Sequence, residues 1–257
     1  MKISIVIPAH NEERRLGKTV DNYCQFFHEK KEQQVIHDYE FIIVLNGCSD
    51  KTIEVAHQFA QKHQQIVVLN YEQAGKGFAI AQGFSHALQG TNDLIGFVDA
   101  DMATRPEYFF QLIEQISSCD GIIASRYMKG AHVSPARPFI KRMGSKLVYE
   151  NLAWMLFGIR YADFQCGAKI FKRPVIQAII DKFTVTQWAF DVELLYLCKK
   201  QKAKIKEIPT VWHDQADSKL KLFKGGLRML SSLVKLRLVH SPLRQFFFNK
   251  QNKTCNM

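Results

Sequence analysis

The first half of the chain alternates between segments that predict strands and segments that predict helices. Between the strands lie stretches with apolar residues at helical spacing. Repeated strand–helix units predict a parallel sheet with helices on both faces. Continuous apolar strands agree with this fold, because both faces of each strand are then buried. The predicted strands are KISIVIPA, EFIIVLN, QIVVLN, DLIGFVDA and GIIAS.

The second half, which follows Arg126, has a different pattern. A basic connector leads to an apolar helix predicted over Leu147–Phe157. Two more helices, a strand over KIKEIPTVWH and a basic, Leu-rich tail follow. No linker, repeat or low-complexity segment divides the chain. The expected units are a single domain over 1–240, its two halves 1–125 and 126–218, and a basic amphipathic tail over 219–257.

The sequence carries no signal for export or membrane insertion. No positively charged start is followed by an apolar segment, so no signal peptide is expected. The longest apolar run, Leu152–Ile159, is far shorter than the ~20 residues that cross a bilayer. The six cysteines are scattered without a C-x-x-C pair, which predicts neither a zinc site nor a disulfide framework. A reducing cytoplasm is therefore the expected compartment.

The formal net charge of +11 indicates an anionic partner, although a basic surface can also lack one. Nucleic acid, anionic lipid and phosphorylated substrates are the candidates. The chain has no recognition helix, aromatic stacking platform or zinc site, so no nucleic acid is expected. The tail mixes Lys and Arg with Leu, Phe and Met. Such a stretch is typical either of a helix on an anionic membrane surface or of a helix that docks on the core.

Polar clusters follow four of the predicted strands, at the point where each strand ends. Doubly wound sheets bind ligands beyond the carboxyl ends of their strands, so these clusters mark the expected site. In FVDADM, a turn that begins at Ala100 can bring Asp99 and Asp101 toward one ligand. Mg²⁺ takes one or two carboxylates together with substrate phosphates, which makes this pair a candidate metal site. Solvated loop carboxylates are the alternative.

A lysine between two glycines opens the helix after the third strand. Lys76 follows Gly75 and precedes Gly77, and a basic residue at a helix start can approach a phosphate. The segment lacks the Walker pattern, so a P-loop is not predicted. A binding role and a structural role for Lys76 are equally open at this point.

Five motifs occur in order along the chain: SIVIPAHNEE, FVDADMATRPE, ASRY, DFQCGAKIF and WAFDVELLYL. Together they resemble the family-two inverting glycosyltransferases, and more narrowly the polyprenyl-phosphate branch, which includes dolichyl-phosphate β-glucosyltransferase and dolichyl-phosphate mannose synthase. The likeness runs from about Lys2 to Arg237. The pairing of DFQCGAKIF with WAFDVELLY is closer to the glucosyl enzymes than to the mannosyl ones.

This resemblance implies an α/β, Rossmann-like nucleotide-diphosphosugar transferase fold of the GT-A type, with a mostly parallel central sheet. It implies inverting transfer of a hexose, with glucose favoured, from a nucleotide sugar to a polyprenyl or dolichyl phosphate, with Mg²⁺ or Mn²⁺ as cofactor. UDP-glucose is the favoured donor, and a GDP-mannose type of donor is the alternative. We expect a cytoplasmic protein held peripherally at the anionic inner face of a membrane.

The resemblance also implies roles for residues. The nucleotide-sugar-binding residues would be Pro8, Ala9, Glu12, Asn46, Lys76, Asp99 and Ala100. The metal ligands would be Asp101 and Asp99. The residues at the acceptor phosphate would be Arg126, Lys141, Arg142 and Ser145. The catalytic residues would be Asp99, Asp101, Asp163, Gln165 and Asp191.

The second strand departs from the family pattern at its end. It carries Leu45-Asn46 where many family members have two aspartates. Asn46 keeps a carbonyl oxygen that can accept the imide N–H of uracil or guanine, whereas Leu45 cannot. A catalytically impaired nucleotide-binding protein attached to a membrane is therefore one alternative.

The acceptor decides whether the reaction needs a base. A phosphate monoester has a second pKa near ~6 and is largely dianionic at neutral pH, so it needs positioning more than deprotonation. If the acceptor were a sugar hydroxyl, Asp163 or Asp191 would be the candidate base. A glycosyltransferase of the same fold with a saccharide or another lipid as acceptor is the second alternative.

Overall fold

The computed structural model describes residues 1–135, 149–184, 189–213 and 222–241. The strands are β1 Lys2–Ala9, β2 Asp38–Asn46, β3 Ile66–Tyr71, β4 Leu94–Val98, β5 Gly121–Ser125, β6 His132–Ser134, β7 Ala168–Lys172, β8 Ile205–Pro209 and β9 Val211–His213. The helices are α1 Leu16–Glu32, α2 Thr52–Lys62, α3 Lys76–Ala87, α4 Pro106–Glu114, α5 (described over 149–157), α6 Arg173–Ile179, α7 Phe190–Lys200 and α8 Leu222–Val239.

A seven-stranded sheet in the order β3-β2-β1-β4-β7-β5-β8 forms the centre of the described structure. β1 pairs in parallel with β2 and β4, β2 with β3, and β5 with β8. β7 runs antiparallel to its neighbours β4 and β5. β6 and β9 form a separate parallel pair. The predicted α/β fold with a mostly parallel sheet is confirmed.

The strands differ from the sequence prediction at three places. β6, over His132–Ser134, lies in the basic connector, where no strand is predicted. β7 lies within DFQCGAKIF, where the apolar pattern predicts no strand because Lys169 interrupts a run of only five residues. The predicted strand KIKEIPTVWH is divided at Thr210, whose N–H donates to the Ser125 carbonyl (3.1 Å). Its second part, β9, leaves the main sheet and pairs with β6.

Two buried apolar clusters lie on opposite faces of the sheet. Successive residues of β1 alternate between them, as strand geometry requires: Ile5 and Ile7 join one cluster, and Val6 joins the other. Helices α1, α2 and α4 cover the first face, and α3 and α5 to α8 cover the second. Burial on both faces explains why the parallel strands are apolar throughout.

The strand order reverses at β1. The chain adds β2 and β3 on one side of β1 and then returns to place β4 on the other side. In open α/β sheets, the crevice beyond the carboxyl ends of the strands at such a reversal receives ligands. The fold therefore brings the ends of β1, β2 and β4, at Ala9, Asn46 and Val98, to the edge where a ligand is expected.

The described end of α8 packs on the core. Leu233 and Leu236 are fully buried in the second cluster, and His240 Nε2 lies 2.7 Å from Glu193 Oε1 of α7. This part of the tail therefore docks on the core, which was one of the two interpretations of its pattern. Contact of the tail with a membrane stays a prediction. Within the ranges given above, no helix combines the length and the apolar character needed to span a bilayer.

The packing of α3 on β1 can be tested at Gly83, where a Cβ atom would overlap the fully buried Val6 side chain. We expect Gly83→Ala to lower the free energy of unfolding by about 1–3 kcal/mol, the usual cost of overpacking a core. Urea unfolding followed by circular dichroism measures the change.

Gly17→Ala in α1 is the matched control. A Cβ atom there would lie 3.3 Å from Phe59, whose partly exposed ring can move aside. Alanine favours a helix over glycine by about 1 kcal/mol, so this variant should be neutral or more stable. Equal destabilisation by both substitutions would contradict the close approach of α3 to β1.

Candidate active site

The turn after β4 carries the two aspartates that the sequence predicts as metal ligands. The Asp99 N–H donates to the Gly167 carbonyl (3.0 Å), and Asp101 Oδ1 accepts from the Ala103 N–H (3.0 Å). Met102 completes the turn in the left-handed region, at φ 59°. Burial, and then the charge of Asp99, raises the pKa of Asp101 to about 6. The two carboxylates therefore repel each other, and a cation bound between them would relieve this repulsion.

Lys76, at the start of α3, forms an ion pair with Asp99. The next residue, Gly77, lets α3 approach α7 closely, because a Cβ atom there would lie 2.6 Å from Phe190 Cβ. Burial works to lower the pKa of Lys76, but attraction to Asp99 and then to Asp191 outweighs it, and the pKa is raised. The Lys76 side chain is 40% exposed, and its ammonium group also lies 5.8 Å from the centre of the Phe97 ring.

Gly167, the residue before β7, lies directly against the Asp99 carboxylate. A Cβ atom at Gly167 would overlap the Asp99 carboxylate, so only glycine leaves room for that side chain in its present position. Sequence reasoning did not single out Gly167, because it has no side chain to suggest a role. The motif DFQCGAKIF was the available signal, and the structure gives this glycine a physical reason.

Arg126 and Asp163 form a bidentate ion pair with very little exposure. Arg126 Nε and Nη2 donate to the two carboxylate oxygens at 2.7 and 2.9 Å, and the Arg126 N–H donates to Oδ2 at 3.0 Å. The guanidinium also lies 4.9 Å from the centre of the Trp212 ring. Burial works to raise the pKa of Asp163, but the Arg126 charge outweighs it and holds the pKa of this carboxyl below its usual range. Arg126 therefore has a carboxylate partner, and its predicted contact with an acceptor phosphate stays a prediction.

Asp191 is paired with a buried lysine that sequence reasoning missed. Lys169 Nζ lies 2.6 Å from Asp191 Oδ1 and 2.7 Å from the Cys166 carbonyl oxygen. The Lys169 side chain is 0% exposed, whereas Asp191 retains a small exposed surface at the first turn of α7. The available sequence signal for this buried lysine was its position within the apolar stretch AKIF. A strand with one face in solvent also carries a lysine among apolar residues, so the signal does not distinguish the two.

The loops after β1 and β2 are joined by several hydrogen bonds. The Ser49 N–H donates to Asn11 Oδ1 (2.8 Å), and the Glu12 N–H donates to Thr52 Oγ1 (2.7 Å). The Glu12 carboxylate is held by Arg15, whose Nε and Nη2 each lie 2.6 Å from one of its oxygens. The two loops therefore form one continuous wall beyond the ends of β1 and β2, and its contact with a nucleotide stays a prediction.

Asn46 joins this wall to the start of α3. Its Nδ2 donates to the Ala9 carbonyl (2.8 Å), and its Oδ1 accepts from the Gly75 N–H (3.0 Å). The residue is only 2% exposed. The amide group thus has structural partners at both ends, and its predicted contact with a nucleotide base stays a prediction.

The structure brings most of the predicted site residues to the carboxyl edge of the sheet. Pro8 and Ala9 end β1, and Ala100 forms the turn between the two aspartates, where its carbonyl accepts from Thr19 Oγ1 (2.8 Å). The Gln165 N–H donates to Asp163 Oδ1 (3.1 Å), which places Gln165 beside that ion pair. The predicted residues outside the described ranges are Lys141, Arg142 and Ser145.

Comparison with known sequences identifies relatives along nearly the whole chain. The model of the family Glycosyl transferase family 2 matches residues 4–180. The dolichyl-phosphate beta-glucosyltransferase of Drosophila melanogaster is 35% identical over 240 residues, which cover 89% of this chain and 72% of the relative. The Saccharomyces cerevisiae protein of the same name is 32% identical, with 93% of this chain and 75% of the relative covered.

Solved structures with the same fold include glucosyl-3-phosphoglycerate synthase from Mycobacterium tuberculosis. Its complex with Mn²⁺, UDP and glucosyl-3-phosphoglycerate superposes with a TM-score of 0.65 at 16% identity, covering 92% of this chain and 79% of that one. A complex of the same enzyme with Mg²⁺ and UDP gives a TM-score of 0.63 at 14% identity, with 92% and 79% covered. The fold is thus of the GT-A type. The chain belongs to glycosyl transferase family 2 and is similar over nearly its whole length to dolichyl-phosphate beta-glucosyltransferases.

Proposed function

We propose that this protein transfers glucose from UDP-glucose, with inversion at the anomeric carbon, to a polyprenyl or dolichyl phosphate at the cytoplasmic face of a membrane. The observation that carries the proposal is the Asp99–Asp101 turn at the carboxyl end of β4, in a chain similar to dolichyl-phosphate beta-glucosyltransferases. A nucleotide diphosphate leaves easily only when its developing charge is neutralised. The site therefore needs cations, and the turn and its neighbours can supply or bind them.

The donor side fits a divalent cation. Asp99 and Asp101 are two carboxylates on one turn, and Mg²⁺ commonly takes one or two carboxylates together with substrate phosphate oxygens. No group of three or more metal-binding side chains occurs in the part of the chain that the structure describes, so the donor diphosphate would complete the coordination. Bound Mg²⁺ or Mn²⁺ would stabilise the charge on the leaving diphosphate.

Lys76 is the protein's own cation at the same place. It stands at the start of α3, where helix N–H groups also favour an anion, and its side chain is 40% exposed. In the described structure this ammonium group pairs with Asp99. We assign Lys76 to the donor diphosphate. The negative charge of the bound diphosphate would attract the Lys76 ammonium group in place of the Asp99 carboxylate.

The acceptor side favours a phosphate over a hydroxyl group. A hydroxyl acceptor needs a base, and the two candidates are Asp163 and Asp191. The Asp163 carboxylate is bound at both oxygens by Arg126 and has a lowered pKa, and the Asp191 carboxylate is paired with the Lys169 ammonium group. A phosphate monoester is already largely dianionic at neutral pH and requires only positioning. Arg126, Lys141, Arg142 and Ser145 are the residues that we assign to this phosphate.

Exposed side chains on α5 support contact with a membrane surface. Trp154 is 44% exposed and Met155 is 74% exposed, and the Arg160 guanidinium lies 4.0 Å from the centre of the Trp154 ring. Aromatic and basic side chains together are typical of surfaces that lie at the headgroup level of a bilayer. The net charge of +11 would strengthen binding to anionic lipid.

The proposed function is tested with purified protein, Mg²⁺ or Mn²⁺, vesicles that contain polyprenyl phosphate, and a panel of radiolabelled nucleotide sugars. We expect a labelled lipid from UDP-glucose, labile to mild acid, and much less from GDP-mannose. Vesicles with the corresponding polyprenyl alcohol are the control. Equal labelling of the alcohol would contradict the phosphate acceptor, and labelling from GDP-mannose alone would contradict the donor.

The metal site is tested with Asp101→Asn. A cation binds the ionised carboxylate, so protons compete with it once the pH falls below the pKa of Asp101, about 6. The concentration of Mg²⁺ or Mn²⁺ needed for half-maximal transfer by the unaltered protein should therefore rise as the pH falls through this value. We expect Asp101→Asn to reduce kcat/KM at neutral pH on the order of 10²–10³-fold, the cost of losing one charge-stabilising contact to the transition state.

Asp21→Asn, at an exposed position of α1, is the matched control and should leave kcat/KM unchanged. The measurement is initial rate against concentrations of Mg²⁺ and Mn²⁺ at each pH. Undiminished transfer by Asp101→Asn would remove this carboxylate from the metal site.

A further inference from the structure

Lys169 is a lysine without exposed surface in the middle of the sheet. It lies on β7, opposite Phe97 of β4 and Ile123 of β5. A buried ammonium group is costly unless its charge is paired and its N–H groups are bonded. The roles assigned above to the donor and acceptor sites do not use this residue, so its retention in the core calls for a physical reason.

The ammonium group of Lys169 is enclosed by three partners. Asp191 Oδ1 lies at 2.6 Å, the Cys166 carbonyl oxygen at 2.7 Å, and the centre of the Phe97 ring at 5.0 Å. Asp191 is the one charged partner among these. Because Lys169 is anchored within the sheet, this pair fixes the Asp191 carboxylate relative to β7.

Asp191 in turn lies within electrostatic reach of Lys76. Gly77 packs against Phe190, which brings the first turn of α3 onto the first turn of α7. The Asp191 charge, after that of Asp99, helps to raise the pKa of Lys76. The sign of the charge therefore alternates from the buried Lys169 to the turn after β4, in the order Lys169, Asp191, Lys76 and Asp99.

We propose that Lys169 is a positioning residue for the donor site: it holds the Asp191 carboxylate where that carboxylate keeps Lys76 beside the donor diphosphate. Asp99 is assigned to the cation, so Asp191 is the carboxylate left to place Lys76 when the donor is bound. This inference rests on the proposed function. It adds Lys169 to the residues that set donor affinity, although Lys169 does not touch the donor.

The test measures binding of UDP and, separately, of GDP by isothermal titration calorimetry in the presence of Mn²⁺ and without acceptor. We expect Lys169→Met to raise the Kd of UDP about tenfold or more, because Asp191 then loses its anchor. Lys172→Met, at a partly exposed position of the same strand, is the matched control and should leave the Kd unchanged. Lys169→Arg, which keeps the charge, should recover part of the affinity.

A second variant separates positioning from folding. Lys169→Met with Asp191→Asn removes both charges, and neutral replacement of a buried ion pair is often tolerated in stability. We expect this double variant to regain the thermal stability lost in Lys169→Met but not the UDP affinity. Recovery of wild-type UDP affinity in the double variant would overturn the proposal, since the pair would then be structural only.

The two proposals fail differently. If the unaltered protein binds UDP but transfers no sugar to polyprenyl phosphate, the acceptor in the proposed function is wrong and the role of Lys169 can still be measured by binding. A folded Lys169→Met variant with unchanged UDP affinity would overturn the role of Lys169 alone. Absence of both UDP and GDP binding by the unaltered protein would overturn both.

Discussion

The close contact between Gly167 and Asp99 is the constraint on which the rest of the site depends. The Asp99 N–H is bonded to the Gly167 carbonyl, and the Asp99 carboxylate occupies the space that any larger residue at 167 would fill. This contact exists because β7 enters the sheet beside β4 in the opposite direction. An antiparallel strand begins where its neighbour ends, so the start of β7 meets the carboxyl end of β4.

Residues on either side of Gly167 connect the same segment to two other charges. Asp163 holds Arg126 at the end of β5, and Lys169 holds Asp191 at the start of α7. Removing one partner of such a buried pair is strongly destabilising, at about 3–5 kcal/mol, even where the intact pair adds little net stability. The segment from Asp163 to Lys169 is therefore held in place by these pairs. It fixes three carboxylates at the carboxyl edge of the sheet, those of Asp99, Asp163 and Asp191.

The parts of the fold that were predictable from sequence are those with local causes. Apolar runs and helical spacing predict the first five strands and the helices between them, and the Asp-x-Asp turn follows directly from the end of β4. Helical spacing does not locate the start of α1 at Leu16, because that start depends on long-range contacts: Asn11 has a left-handed φ of 55°, and the Glu12 N–H donates to Thr52 Oγ1 at the start of α2. Lys169 could not be predicted as buried, because its partner is 22 residues further along the chain.

The same limit applies to strand order. Nothing in the local pattern of AKIFK distinguishes a central strand from a loop, and its place between β4 and β5 depends on two strands from the first half of the chain. The family resemblance identified the motif around β7 but gave no reason for its glycine or its lysine. Those reasons are contacts over long sequence separations, and only the assembled sheet contains them.

The central position of β7 also determines how the chain can be divided. β4 pairs with β1 on one side and with β7 on the other. In a fragment that ends after β5, the entire apolar strand Leu94–Val98 would become an edge, with unpaired N–H and C=O groups along one side. Exposed apolar edges recruit strands from other molecules. The amino-terminal half would therefore aggregate when expressed alone, and a complementary fragment that carries β7 would be required to keep it in solution.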